Sequence, residues 1–150
     1  EKKVEHLFCK PVDGGRGENI FVITANTHEK IADSLIDLVL SKAFIFQELI
    51  VQHEILNRIN ASSINTLRIV TYKNEKNKVE ILSGFIRVGR KGAIVDNAHA
   101  GGIVVPFNKE TGKMYAEGLQ LIDKGGGIFY KHPDSGIQFD NLQIYPIVFD

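Results

Sequence analysis

The stretch Lys10-Pro11-Val12-Asp13-Gly14-Gly15-Arg16-Gly17 sets a lysine, an arginine and three glycines between two apolar runs. Glycine lets backbone N–H groups turn inward and approach an anion with no side chain in the way. A lysine at the end of the leading run adds a point charge beside such a cradle, and Arg16 can fold over it as a fork. The same glycines also suit a hairpin loop that binds nothing. The adjoining Lys-Pro pair and the arginine shift the balance toward phosphate. The segment is neither a Walker loop, which needs Gly-Lys-Ser/Thr opening a helix, nor a dinucleotide fingerprint.

Other groupings carry weaker signals. Phe46-Gln47-Glu48-Leu49-Ile50 is an apolar run that turns polar. Such a hinge can pair its backbone with an adenine edge while apolar neighbours sandwich the ring, although an ordinary strand end reads the same way. Arg68 sits in Leu67-Arg68-Ile69-Val70 and Arg87 in Phe85-Ile86-Arg87-Val88. Charges in apolar strands are costly unless paired or aimed into a site. Strand alternation predicts Arg68 on one face with Thr66 and Val70, and Arg87 with Phe85 and Ile81. Two surface arginines on half-exposed strands are the plainer alternative. In Asp96-Asn97-Ala98-His99-Ala100-Gly101-Gly102, Asn97 and His99 can hydrogen-bond a phosphoryl or carboxylate oxygen. Gly101 and Gly102 allow close backbone approach, while Asp96 by itself is a poor basis for a magnesium site. His132-Pro133-Asp134-Ser135-Gly136 pairs a histidine with a serine, yet a Pro-Asp-Ser-Gly turn accounts for it.

The elements that must position these residues follow from patterning. Val4–Lys10 and Asn19–Thr24 are predicted strands flanking the glycine loop, a hairpin over residues 4–24 whose loop overhangs a cleft. Asn26–Ser41 is the best helix: Ile31, Leu35 and Leu38, with Ala32, Ile36 and Val39, form an apolar stripe. Asn26 and Glu29 suit a capping box. Phe44–Ile50 is predicted as a strand and Val51–Ile59 as a short helix. Asn65–Tyr72, Lys78–Val88, Ala93–Asp96 and Ile103–Phe107 are strand-like, with Asn74-Glu75-Lys76-Asn77 as a polar hairpin turn. Eleven of the 14 glycines lie between Gly84 and Gly136, so tight turns dominate the second half. The fold class is α+β: a small strand–helix–strand part over residues 1–60, then a larger antiparallel sheet over residues 61–150.

Composition limits the partners. The 150 residues include 18 basic and 18 acidic side chains, so no global field draws the chain to nucleic acid or an anionic membrane. Any anion site has to be built locally. Cys9 is the single cysteine. No intrachain disulfide can form, which fits a reducing, cytoplasmic compartment. No apolar run approaches the ~18 residues of a membrane span, and the start shows no signal-peptide pattern.

The order strand, Lys-Pro, glycine loop, strand, helix, strand ending in Gln-Glu, then an arginine-bearing strand resembles the ATP-grasp superfamily. Ser63-Ile64-Asn65-Thr66-Leu67-Arg68-Ile69-Val70-Thr71, Val95 to Gly102, and His132 to Gly136 look like the sugar-transfer-associated ATP-grasp family, over about Phe8 to Pro146. The Asn-x-His-x-Gly-Gly loop is also similar to ligases that attach glutamate to a protein end. By this resemblance Lys10 holds the α- and β-phosphates of ATP, and Gly14, Gly15, Arg16 and Gly17 form a flap above them. Glu48, Leu49 and Ile50 supply the adenine hinge. Arg68, Arg87 and Asn97 face the transferred phosphoryl group or acceptor from one shared cleft, with His99, Gly101 and Gly102 on the substrate. The implied reaction activates a carboxylate as an acyl phosphate, with magnesium bridging the phosphates. The substrate would be a small carboxylate or a sugar-linked molecule, in cell-surface polysaccharide or glycan biosynthesis.

The family's acidic residue and Glu-x-Asn pair, which hold magnesium, have no counterpart before Asp150. An upstream lysine would fall before Glu1. The expectation is therefore a piece cut at both ends, inactive alone and completed by the rest of the enzyme. Two other readings stay open: a noncatalytic binding module for an anionic sugar or peptide, using the same arginines and His99, and a degenerate scaffold that serves protein contacts.

Overall fold

A computed structural model of the protein describes residues 6–15, 17–24 and 40–144. Arg16 lies outside them, and so does the helix expected over Asn26–Ser41, apart from Leu40 and Ser41, which are helical. The chain divides into two compact units, Glu1–Val51 and Gln52–Asp150. The division precedes the boundary expected after residue 60 because Gln52 and the short helix belong to the second unit. Gln52 Nε2 donates to Asn60 O at 2.9 Å, and Gln52 Oε1 accepts from Asn65 N at 2.5 Å.

The first unit holds an antiparallel sheet of β1 (His6–Pro11), β2 (Phe21–Thr24) and β3 (Phe44–Glu48), in the order β2-β1-β3. The pleat turns Cys9 and Pro11 inward on β1. Pro11 ends the strand, where its missing N–H costs no ladder bond, and Val12 N then donates to Ala43 O at 2.9 Å. Phe44 lies 5.6 Å from Phe21 and 6.5 Å from Phe46 between ring centroids, both pairs tilted. β2 begins at Phe21 rather than Asn19, because Asn19 takes a left-handed φ of 56° to finish the turn. β3 ends at Glu48, leaving Leu49 and Ile50 beyond the ladder.

The second unit opens with α1 (Glu54–Ile59), capped by His53, whose Nδ1 accepts from Ile55 N. Five antiparallel strands follow as a meander: β4 (Thr66–Lys73), β5 (Val79–Val88), β6 (Ile103–Pro106), β7 (Gly118–Gln120) and β8 (Gly127–Phe129). The turn between β4 and β5 is closed by Asn74, whose side-chain oxygen accepts from Lys76 N and Lys78 N, both at 3.0 Å. One sheet face makes the core. Ile86, Val88, Ile103 and Val105 pack there with Ile59, Phe107, Met114 and Phe139, all buried. Gly84 is required on that face, since a Cβ there would stand 2.2 Å from Phe107 Cζ.

Two strand expectations are corrected. Ala93–Asp96 is irregular, not a strand. Gly92 turns the chain at φ 84°, and Asp96 meets β4 through its carboxylate, accepting from Thr66 N at 2.8 Å, instead of through a backbone ladder. Ile81 does not share a face with Arg87. A bulge moves the register from Val70↔Ser83 to Thr71↔Ile81, and a one-residue slip flips every later side chain. Among the described residues no helix is long and apolar enough to cross a membrane.

Candidate functional site

The glycine loop joins β1 to β2 in the first unit. Lys10, Pro11, Gly14, Gly15, Gly17, Glu18 and Ile20 line a concave pocket of about 150 Å³. Gly14 is forced by packing, since a Cβ would lie 2.6 Å from Pro11 Cγ. Gly15 faces open space: a Cβ added there would meet nothing within 4 Å, so its backbone is open to a ligand. Gly17 takes φ 82°, and Glu18 N closes the turn on Gly15 O at 3.1 Å. Glu18 brings a carboxylate to the same pocket as Lys10. Of the hinge residues, Glu48 closes β3, and Leu49 and Ile50 follow it as exposed side chains, 40% and 59% accessible.

In the second unit the register brings the two arginines together. Thr66 pairs with Arg87 and Arg68 with Phe85, so Arg68 and Arg87 stand diagonally on one face. That face is the one turned away from the core, and it continues through Val104 and Leu119 to Ile128. Arg87 is tied down there. Its Nε and Nη2 donate to Thr66 Oγ1 at 3.0 and 2.8 Å, and Nη2 lies 3.3 Å from Asp96 Oδ1. The Thr66 hydroxyl donates in turn to Asp96 Oδ2, which also accepts from Thr66 N. Asp96 is buried, at 6% accessibility, because these partners replace water around its carboxylate. Arg68 is exposed.

Asp96 also anchors the polar loop. Asn97 caps the single 3₁₀ turn Ala98–Ala100, its Oδ1 accepting from Ala100 N at 2.7 Å, and leaves His99 exposed. Gly101 ends the turn with φ 88°. Gly102 lies so close beneath the loop that a Cβ would stand 2.1 Å from Asp96 O. Arg87 and Asn97 are therefore linked through Asp96.

The His132–Gly136 segment is a turn that clamps the end of β5. His132 is fully buried, its Nε2 donates to Gly89 O at 2.8 Å, and its Nδ1 accepts from Ser135 N at 3.3 Å. Burial holds this imidazole below its ordinary pKa, in keeping with a neutral ring. Asp134 takes Arg90 in a fork, Nε at 2.7 Å and Nη2 at 3.0 Å, and accepts from Lys91 N at 2.8 Å. The Arg90 hydrogen bonds bring the Asp134 carboxyl down to about 2. Gly89 N, on the other side, donates to Asn65 Oδ1 at 3.0 Å. Ser135 Oγ also lies 3.3 Å from His132 Nδ1, so the serine's N–H and hydroxyl both meet the ring within the turn.

Among the described residues no group of three histidine, cysteine or acidic side chains gathers around one point. Asp96, the carboxylate in the polar loop, already has both oxygens engaged by Thr66 and Arg87.

No curated protein and no solved structure matches the chain. The family described as sugar-transfer associated ATP-grasp matches residues 2–148. That span takes in the glycine-loop hairpin, both arginine strands, the polar loop and the His132 turn, and the membership supports an ATP-binding, ligase-like role. The chain belongs to the sugar-transfer-associated ATP-grasp family.

Proposed function

We propose that the chain is the ATP-binding core of an ATP-grasp enzyme that activates a carboxylate as an acyl phosphate. A carboxylate oxygen attacks the γ-phosphorus, ADP leaves, and an amine or other nucleophile then displaces phosphate from the acyl carbon. The observation that carries the reading is the pocket beneath the β1–β2 hairpin, which collects Lys10 and the Gly14, Gly15 and Gly17 backbone. In it Lys10 meets the α- and β-phosphates, and the loop from Gly14 through Arg16 to Gly17 folds over them. Glu48, Leu49 and Ile50 supply the adenine hinge. Arg68, Arg87 and Asn97 face the phosphoryl group or the acceptor, and His99, Gly101 and Gly102 contact the acceptor. The protein's work in such a transfer is positioning and charge neutralisation. A small carboxylate or sugar-linked substrate, within cell-surface glycan synthesis, agrees with the family's association with sugar transfer. Dependence on ATP and a single buried thiol at Cys9 fit the cytoplasm.

Calorimetric titration with magnesium-ATP tests the proposal. Lys10→Ala should weaken binding by about 1–3 kcal/mol, the range for a lost charge-assisted hydrogen bond. Lys109→Ala, on an exposed turn of the second unit, serves as control. Equal affinity in wild type and Lys10→Ala would remove the phosphate site from this loop.

A further inference from the structure

Arg87 differs from Arg68 in what surrounds it, and the difference is chemical. The Thr66 hydroxyl gives its proton to Asp96 Oδ2, so its lone pairs are turned toward the guanidinium. Two guanidinium nitrogens, Nε and Nη2, end on that one oxygen, and Nη2 also faces Asp96 Oδ1. Both Thr66 N and Thr66 Oγ1 hold Oδ2, so the carboxylate cannot rotate away. The Asp96 side chain is 7% accessible and the Arg87 side chain 29%. Nη1 of Arg87 has no partner among the described residues.

We propose that Asp96, through the Thr66 hydroxyl, is a positioning residue that fixes the guanidinium plane of Arg87 and presents its Nη1 edge to an incoming anionic oxygen. The inference rests on the proposed role of Arg87 toward the phosphoryl group. Asp96 then trades affinity for geometry. Its negative charge weakens the pull of Arg87 on any anion, while its hydrogen bonds hold the donor where the charge develops. Arg68, exposed on the same face, supplies the uncompensated charge. A donor held in place in advance needs no reorganisation at the moment of transfer, and misplacing a group by about 1 Å costs on the order of 100-fold in rate.

The brace makes an unusual demand on Asp96→Asn: nucleotide or phosphate should bind severalfold more tightly while ADP release falls about 10- to 100-fold. A merely structural aspartate would lose both together, along with thermal stability. Thr66→Val, which keeps the strand, its N–H and the carboxylate, removes only the relay. Its readout does not need turnover. In the 150-residue chain the arginine Nε–H of Arg87, assigned by its loss in Arg87→Lys, should exchange slowly with water in wild type and much faster in Thr66→Val. Unchanged exchange in Thr66→Val overturns the brace. If Arg87→Ala leaves ADP release intact, the assigned role of Arg87 fails and the positioning inference goes with it. If Arg87→Ala stops release but Asp96→Asn changes neither affinity nor rate, the brace alone is wrong and the site survives.

Discussion

Truncating Asp134 to alanine isolates one tie between distant parts of the second unit. The carboxylate holds the Arg90 guanidinium at 2.7 and 3.0 Å and the Lys91 N–H at 2.8 Å. These bonds fasten the loop after β5, the strand that carries Arg87, to the His132 turn. At about 1.36 kcal/mol per pH unit, lowering the carboxyl from its ordinary 3.8 to about 2 sets an upper bound of about 2 kcal/mol. The pair is not dry, however: the Arg90 and Asp134 side chains are 30% and 22% accessible. Water screens it and competes for both partners, so about 1 kcal/mol is the better expectation. For a unit of this size that is a fall of roughly 4–6 °C in melting temperature. The sign of the pH dependence follows from the direction of the shift. A carboxyl whose folded pKa is depressed contributes fully above about 3.8 and loses its contribution as pH falls toward about 2. Urea unfolding of wild type and Asp134→Ala at pH 7, 4 and 3 should therefore give a difference that is constant down to about pH 4 and clearly smaller at pH 3. A difference that is zero at pH 7, or that is as large at pH 3, would refute the argument that this ion pair clamps the loop.

The other predictions concern single contacts. Gly102→Ala should cost about 1–3 kcal/mol through overpacking against Asp96 O, whereas Gly15→Ala should change stability by less than about 0.5 kcal/mol; thermal melts of the two variants compare them directly, and equal effects would contradict the loop geometry. Burial holds the His132 pKa below its ordinary 6.5, so the unfolded chain takes up a proton first and stability should decline as pH falls below about 6.5. That slope should be missing in His132→Gln, and its persistence would assign it to another group. Glu18→Gln should tighten ATP binding by up to about 1 kcal/mol, the scale of an exposed charge interaction, and looser binding would show that Glu18 supports the ligand.

What could be read from the sequence was what local chemistry decides. The β1–β2 and β4–β5 hairpins announce themselves through alternating apolar residues around Gly-rich or Asn-rich turns. The family's motifs give the order of parts and the α+β class, which the two antiparallel sheets and few helices match. Gly118–Gln120 and Gly127–Phe129 leave no sequence signal, because three-residue strands that begin with glycine carry no periodicity to detect. The Val70/Thr71 bulge is likewise silent, since any strand of that composition could pair without it.

Asp96 shows where such reading stops. Between Ala93 and Gly102 it looks like one polar residue in a polar loop, and its type suggests a metal before it suggests a clamp. Its partner Thr66 lies 30 positions away, and Thr66 in turn reaches Arg87 across 21. No spacing rule connects the three. They meet only because β4 pairs with β5 in the register that sets Thr66 against Arg87, and because the chain after β5 returns across the end of β4. The sequence does pose the problem, since a charged residue between Ile86 and Val88 has to be paired or put to use. The structure answers the first half: Thr66 and Asp96 hold the guanidinium through Nε and Nη2, and the role proposed for Arg87 toward an anion is what would put the rest of it to use.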